Sequence, residues 1–147
     1  MEYLHFSPAS SPAKPNYRSA GEKQIAQFLD YSGLKFEYEP AVLIKERGFS
    51  RIWYPDFKLS DYGILIEYFG VERSHQYDEQ RNYRLRTYEK NSLDVIALYP
   101  DDLRSSYQDK IFQGIEKKVY QSLARYENQR YKSSLRRPAY RRGFKRY

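Results

Sequence analysis

The chain has 147 residues, a length that predicts a single domain, and its 26 Lys and Arg against 19 Asp and Glu give a net charge of +7. The sequence contains no cysteine, which excludes disulfide bonds, cysteine-ligated zinc and thiol catalysis. It shows neither a signal-peptide pattern nor an apolar run of about 20 residues, so we expect an intracellular, cytoplasmic protein without a membrane partner.

The positive charge is concentrated towards the C-terminus. Residues 130–147 hold eight Lys or Arg and no acid, which leaves 18 basic and 19 acidic residues in positions 1–129. A nearly neutral domain followed by a basic arm is typical of proteins that bind nucleic acid or another anionic surface.

Periodicity and turn residues predict the secondary structure in chain order. Residues 1–18, rich in Pro and Ser, are predicted to form an arm, and a capping box of Ser19 and Glu22 begins the first helix. The apolar patterns then predict a helix at 20–32, a strand at 35–44 that is interrupted at Pro40, strands at 52–59 and 64–69, a helix at 74–90, a strand at 94–99 and a helix at 103–126.

The predicted elements form one mixed α/β domain at residues 19–126, followed by a basic aromatic tail at 127–147. The short turn between the second and third strands predicts that they pair antiparallel, and the crossover helix permits a parallel pair between the third and fourth. That helix carries Tyr77 and Tyr88, which are predicted to be packing residues rather than DNA contacts.

Two acidic residues interrupt predicted strands. Asp56 stands in Tyr-Pro-Asp-Phe, and Glu67 stands in Ile-Leu-Ile-Glu-Tyr-Phe. Burying a carboxylate among such neighbours costs several kcal/mol unless it is paired, hydrogen-bonded or bound to a cation. Two carboxylates on neighbouring strands cannot neutralise each other, but a divalent cation such as Mg²⁺ would neutralise both. For either acid alone, the alternative is a structural ion pair with an arginine.

Five short segments together resemble the PD-(D/E)XK, or restriction-endonuclease-like, nuclease superfamily. They begin at Ser19, Phe36, Tyr54, Ile66 and Val95 and read SAGE, FEYE, YPDF, IEYFG and VIALYP. The resemblance covers residues 19–104 and is closest to small nuclease domains beside some bacterial and archaeal helicases. It implies an αβββαβ core with a mixed central sheet and an additional C-terminal helix, and it implies DNA hydrolysis with Mg²⁺ or Mn²⁺.

The resemblance also implies roles for individual residues. Asp56 and Glu67 match the two metal-binding acids, and the main-chain carbonyl of Tyr68 matches a further metal ligand. Glu22 matches a catalytic acid on the first helix, although its capping-box spacing offers a purely structural interpretation. The superfamily's lysine would stand two residues after Glu67, where this chain has Phe69, which cannot supply a charge.

Another cation must therefore replace the missing lysine if the chain is an enzyme. Helicase-associated relatives place a substitute on the following helix, and Arg84 matches that place. Lys58, on the strand face of the first acid, is the second candidate, and Arg81, one turn before Arg84, is the third. An arginine keeps its charge and does not act as a base, so its role would be electrostatic.

The basic tail is the predicted DNA contact, because cations displace counterions from phosphates and aromatic rings stack on exposed bases. Its predicted contacts are Arg130, Lys132, Arg136, Arg137, Arg141, Arg142, Lys145 and Arg146. The expected substrate is DNA, including branched or single-stranded forms, and the expected protein partner is a second copy or a helicase-type protein. The alternative function is a catalytically inactive nuclease fold that binds DNA or serves as a scaffold.

Overall fold

The computed structural model describes residues 15–70 and 74–135. Its elements in chain order are α1 (Ala20–Tyr31), β1 (Phe36–Tyr38), β2 (Val42–Glu46), β3 (Phe49–Trp53), β4 (Phe57–Leu59), β5 (Ile64–Tyr68), α2 (His75–Lys90), β6 (Val95–Leu98), α3 (Pro100–Ser105) and α4 (Tyr107–Leu135). No helix within the described ranges is long and apolar enough to cross a membrane.

The main sheet has four strands in the order β1-β4-β5-β6. Strand β4 pairs antiparallel with both β1 and β5, whereas β5 pairs parallel with β6. Both pairing directions expected from the connections are therefore confirmed, as is the mixed α/β class. Strands β2 and β3 form a separate antiparallel hairpin inserted between β1 and β4.

The predicted interruption at Pro40 is confirmed, since it separates β1 from β2, but the continuous strand predicted at 52–59 is wrong, because it is divided into β3 and β4. The divisions lie opposite each other, at residues 39–41 and 54–56, and both contain a proline, which cannot donate a ladder hydrogen bond. Glu39 also adopts a left-handed φ of 49°, which turns the chain out of the main sheet. The insertion explains why five strands, rather than three, separate the first two long helices.

Alternation along β5 divides the core between the two faces of the sheet. Ile64 and Ile66 pack with α1 and α4, on the face that also holds Ile25 and Ile111. Leu65 points to the other face and packs in a smaller cluster with residues of β2 and α2. The sheet is thus covered by two helices on one face and by α2 on the other.

Two predicted boundaries also need correction. Tyr17, placed in the N-terminal arm, packs its ring edge-on against Tyr38 with centroids 4.9 Å apart, so the domain begins before residue 19. The last predicted helix, at 103–126, is α3 followed by α4, and α4 continues to Leu135. The tail predicted from residue 127 is therefore helical as far as residue 135, because good helix formers continue the backbone ladder without apolar periodicity.

Helix α4 is anchored at its N-terminal end alone. Tyr107, Ile111 and Ile115 lie at intervals of four residues and are buried, whereas every residue from 122 to 135 is exposed. The first two turns and a half therefore carry the helix's packing energy, and the rest projects from the domain.

We expect Ile111→Ala to lower the free energy of unfolding by about 2–5 kcal/mol, because it removes a fully buried side chain and leaves a cavity. The matched control is Leu123→Ala on the same helix, where the side chain is 54% exposed and the change should be within about 0.5 kcal/mol. Urea denaturation followed by circular dichroism measures both. Equal effects would contradict the assigned anchoring of α4.

Candidate functional site

Glu67 lies in the middle of the molecule. It is the fourth residue of β5, and strand alternation directs it with Leu65 towards α2, where it is only 4% exposed. Its Oε1 accepts a hydrogen bond of 2.7 Å from Nε of Arg84 and a short one from the hydroxyl of Tyr88. Two donors from α2 therefore meet one oxygen of a buried carboxylate.

Asp56 immediately precedes β4, so its predicted location inside a strand is wrong by one residue. The β4–β5 register pairs Phe57 with Ile66, and the next step of the same register sets Asp56 across from Glu67. Facing residues in an antiparallel pair have Cβ atoms about 4.5–5.5 Å apart on the same face of the sheet. The two acids that sequence placed on neighbouring strands are therefore neighbours in space.

Asp56 also extends the ladder between the central strands β4 and β5 by one hydrogen bond. Its Oδ2 accepts the main-chain N–H of Tyr68 at 2.6 Å, in place of a main-chain acceptor on the neighbouring strand. The N–H and C=O of one residue point to the same side of a strand, and the register would set Tyr68 opposite Pro55, which has no N–H to donate. The Tyr68 carbonyl therefore faces the Asp56 side without a donor from the β4 ladder.

Glu22 forms one half of the capping box expected from sequence, because its carboxylate bonds to the Ser19 hydroxyl and the Arg18 N–H and not to the Ser19 N–H. Its main-chain N–H donates to Oγ of Ser19 at 3.1 Å, and the Ser19 hydroxyl donates back to its Oε1 at the same distance. Its Oε2 accepts from the Tyr38 hydroxyl at 2.5 Å and from the N–H of Arg18 at 3.1 Å. The structural interpretation of Glu22 is thus supported, and its carboxylate already has three donors.

The protonation of Asp56 depends on its burial and on the two neighbouring carboxylates. Burial raises the pKa of Asp56 to about 7, and the charges of Glu67 and, more weakly, Glu22 add to the rise. Burial also raises the pKa of Glu67, although Arg84 and Tyr88 oppose that rise. Asp56 is therefore the acid whose negative charge is least compensated in this part of the molecule.

The three candidate replacement cations occupy different places. Arg84 contacts Glu67 and also donates to the carbonyl of Tyr54 at 3.2 Å. Lys58 faces β1 and pairs with Glu37 at 3.6 Å, so the structure does not bring it to the acids. Arg81 pairs with its helical neighbour Asp78 at 3.0 Å.

Phe69, at the position of the missing lysine, is a packing residue. It is 8% exposed and stacks on Tyr99, with ring centroids 5.8 Å apart. The strand therefore offers no charge at this position, and the cation nearest to Glu67 comes from α2.

Sequence reasoning missed the polar role of Tyr88. Its predicted packing role is confirmed, since it is fully buried, but its hydroxyl also donates to Glu67, which raises its pKa together with the effect of burial. The signal was available, because Arg84 and Tyr88 are four residues apart and so share one helix face. Trp53 was also missed: it lies beneath the guanidinium of Arg84, 5.1 Å from its ring centroid.

Asp56, Glu67 and the Tyr68 carbonyl offer a small set of oxygen ligands, which suits a small cation. Among the described residues, no group of three or more His, Cys, Asp or Glu side chains is placed to hold a metal ion. Asp56 Oδ1 and Glu67 Oε2 accept no hydrogen bond from the described residues and are not sealed from solvent. Two carboxylate oxygens and the Tyr68 carbonyl are the hard ligands that Mg²⁺ or Mn²⁺ would use here.

The predicted DNA-binding tail lies mainly outside the described residues. Arg130 and Lys132 are exposed on the projecting part of α4. The remaining six predicted contacts are beyond residue 135: Arg136, Arg137, Arg141, Arg142, Lys145 and Arg146.

Comparison with protein-family models, with curated proteins and with solved structures finds no match for this chain. The functional argument therefore depends on the site itself.

The raised pKa of Asp56 gives a prediction for stability. Because the ordinary pKa of 3.8 rises to about 7 on folding, the folded state binds this proton more tightly than the unfolded state does. The contribution of Asp56 to stability is therefore fully present below about pH 4 and is lost as the pH rises to about 7. Asp56→Asn keeps an oxygen for the Tyr68 N–H and removes the charge.

We expect Asp56→Asn to be more stable than the wild type at pH 8 and to lose this advantage towards pH 4. Urea denaturation at several pH values measures the difference, and the carbon-13 shift of the Asp56 carboxyl group reports its titration directly. A difference that stays constant between pH 4 and pH 8 would contradict the raised pKa.

Proposed function

We propose that this chain is a divalent-metal-dependent nuclease that hydrolyses phosphodiester bonds in DNA. The observation that carries the proposal is the pair Asp56 and Glu67, which face each other across β4 and β5 with one unbonded oxygen each. A protein gains nothing in stability from two adjacent buried acids with only one cation near them, so a functional use of the pair is favoured.

In this proposal Asp56, Glu67 and the Tyr68 carbonyl would hold Mg²⁺ or Mn²⁺. The ion, when bound, lowers the pKa of an attacking water and stabilises charge on the phosphate and the leaving oxygen. In the ion-free protein the pKa of Asp56 is raised to about 7, so binding of the ion below neutral pH would displace a proton from this carboxyl group. The Tyr68 N–H fixes the orientation of Asp56 throughout.

Arg84 would supply the charge that Phe69 lacks. Its guanidinium is held by Glu67, by the Tyr54 carbonyl and by the face of Trp53, so it cannot swing away from the acids. A fixed guanidinium with N–H groups that are still unbonded can stabilise a pentacoordinate phosphate without reorganising. Electrostatic catalysis depends on such preorganised donors. Glu22 would act at longer range, by keeping the pKa of Asp56 raised.

The rival is a catalytically inactive nuclease fold that binds DNA or acts as a scaffold. Two observations favour it: Phe69 replaces the lysine, and Arg84 already neutralises Glu67. However, Arg84 donates to Glu67 and not to Asp56, so it does not bridge the two acids as a purely structural cation would. A second copy or a helicase-type protein as partner remains a prediction for either function.

The nuclease proposal predicts cleavage that depends on both acids. We expect the purified full chain to cut supercoiled, branched or single-stranded DNA with Mg²⁺ or Mn²⁺, and Asp56→Asn and Glu67→Gln each to lower the rate by about 100-fold or more. The matched control is Glu89→Gln, at an exposed position of α2, which should cut at the wild-type rate.

Metal binding separates the two candidate functions. Mn²⁺ titration by electron paramagnetic resonance should show one site in the wild type and in Glu89→Gln, and a site weakened at least 10-fold in Asp56→Asn. Cutting that is unchanged in both acid variants would refute the proposal. DNA binding that survives EDTA, with no cutting of any substrate, would favour the inactive fold.

The tail gives a separate prediction about salt dependence. Removing residues 136–147 deletes six Lys or Arg beyond the end of α4, so we expect folding to be unchanged and DNA binding to weaken. If the tail makes about four phosphate contacts, the slope of log K against log salt should fall by about 3–4. Fluorescence anisotropy at several salt concentrations measures it, and an unchanged slope would show that the tail makes no phosphate contact.

A further inference from the structure

A groove of about 310 Å³ lies beside the acids, between α2 and the ends of β3 and β5. Aromatic and polar side chains with no acid among them form its described walls: Trp53, Phe69, Tyr77, Gln80, Arg81 and Arg84. This volume is at the lower end of the range for small-ligand sites, enough for one nucleotide and too small for a base pair in a duplex. Rings and guanidinium planes are the surfaces on which unstacked bases are bound.

Arg84 joins this groove to the candidate active site. Its guanidinium lies 5.1 Å from the Trp53 ring centroid, while its Nε donates to Glu67 at 2.7 Å. A base held against Trp53 or Arg84 would thus be separated from Glu67 by a single side chain. The phosphate attached to that nucleoside would be within reach of the two acids.

Tyr83 joins the same groove to a basic pocket. It is 44% exposed and lines both the groove and a second pocket, of about 370 Å³, between α2 and the β2–β3 hairpin. Four cationic residues line this basic pocket: Lys45, Arg47, Arg86 and Lys90.

The four cations are available to an anion. None of them forms an ion pair with a described residue, whereas Arg18, Arg51, Arg81 and Arg84 all do. The single acid of the basic pocket, Glu46, is already bonded to Arg51 and to the Tyr83 hydroxyl. Unpaired cations gathered around one concave surface attract a polyanion, and here they do so on the same side of α2 as the aromatic groove.

Because the groove and the basic pocket are continuous, we propose that this face binds single-stranded DNA. One unstacked base would lie in the groove and neighbouring phosphates in the basic pocket. The inference rests on the proposed function in taking DNA as the substrate, and it adds a substrate class to it. Bases in an intact duplex are stacked on each other and cannot enter the groove, whereas bases in single strands and frayed ends can.

Trp53 reports occupation of the groove directly, because it is the only tryptophan in the sequence. The probe is a 15-nucleotide oligothymidylate, added to the full chain in EDTA so that no cutting occurs. We expect it to quench Trp53 fluorescence at saturation, and a 15-base-pair blunt duplex to leave the emission nearly unchanged. Binding of the oligothymidylate without quenching, or equal quenching by the duplex, would overturn the assignment of the groove.

A pair of charge variants tests the basic pocket. Lys45→Gln with Arg86→Gln removes two of its cations, and we expect the slope of log K against log salt for the same oligothymidylate to fall by about 1.4. Lys117→Gln with Arg125→Gln makes the same charge change at exposed positions of α4 and should leave the slope nearly unchanged. An equal fall in both double variants would overturn the proposal, and circular dichroism confirms that both are folded.

The binding measurements and the cleavage assay test separate proposals, so either proposal can be refuted while the other stands. Quenching by the oligothymidylate with no cutting of any DNA would refute the nuclease and leave the single-strand site standing. Cutting that depends on Asp56 and Glu67, without quenching of Trp53, would refute the single-strand site and support the nuclease.

Discussion

The buried carboxylate of Glu67 is the constraint around which this face of the molecule is arranged. A charge at the centre of a strand whose neighbours are Ile and Leu is stable only with donors close by, and α2 supplies two of them, from Arg84 and Tyr88. Within α2 only Thr87 and Tyr88 are buried. The helix is therefore positioned on the sheet as much by its hydrogen bonds to Glu67 as by apolar contact.

One arginine cannot compensate two acids, and this imbalance gives the site its chemical character. Arg84 is committed to Glu67, so Asp56 keeps a raised pKa although its charge is also favoured by the Tyr68 N–H. A cation placed between the two acids would be attracted by the charge of Asp56 and could also contact the unbonded oxygen of Glu67. The same imbalance would be a pure loss of stability in a scaffold, which is why it favours a binding or catalytic role.

The sequence was sufficient to predict the elements that carry strong local signals. The helix start at Ser19, the crossover to β6 and the proximity of Asp56 and Glu67 follow from patterns that are local or that depend on one pairing, whereas the place of Arg84 was suggested by the resemblance alone. What could not be predicted depends on longer contacts. The division of the second strand requires its proline to lie opposite Pro40, and the length of α4 beyond Tyr126 has no apolar periodicity to reveal it.

The groove beside α2 shows why net charge is a poor guide to the surface proposed here to bind DNA. The first 129 residues are almost neutral overall, yet the ion pairs are distributed unevenly, and the four cations of the basic pocket form no ion pair with a described residue. Arg84 is shared by the acid pair and the groove, through Glu67 on one side and Trp53 on the other. Anything that binds against Trp53 must therefore shift the electrostatic balance of Glu67, and a metal ion at Glu67 must alter the hold on Arg84. Binding in the groove and metal binding at the acids, both of which are proposed here, would thus be coupled through Arg84.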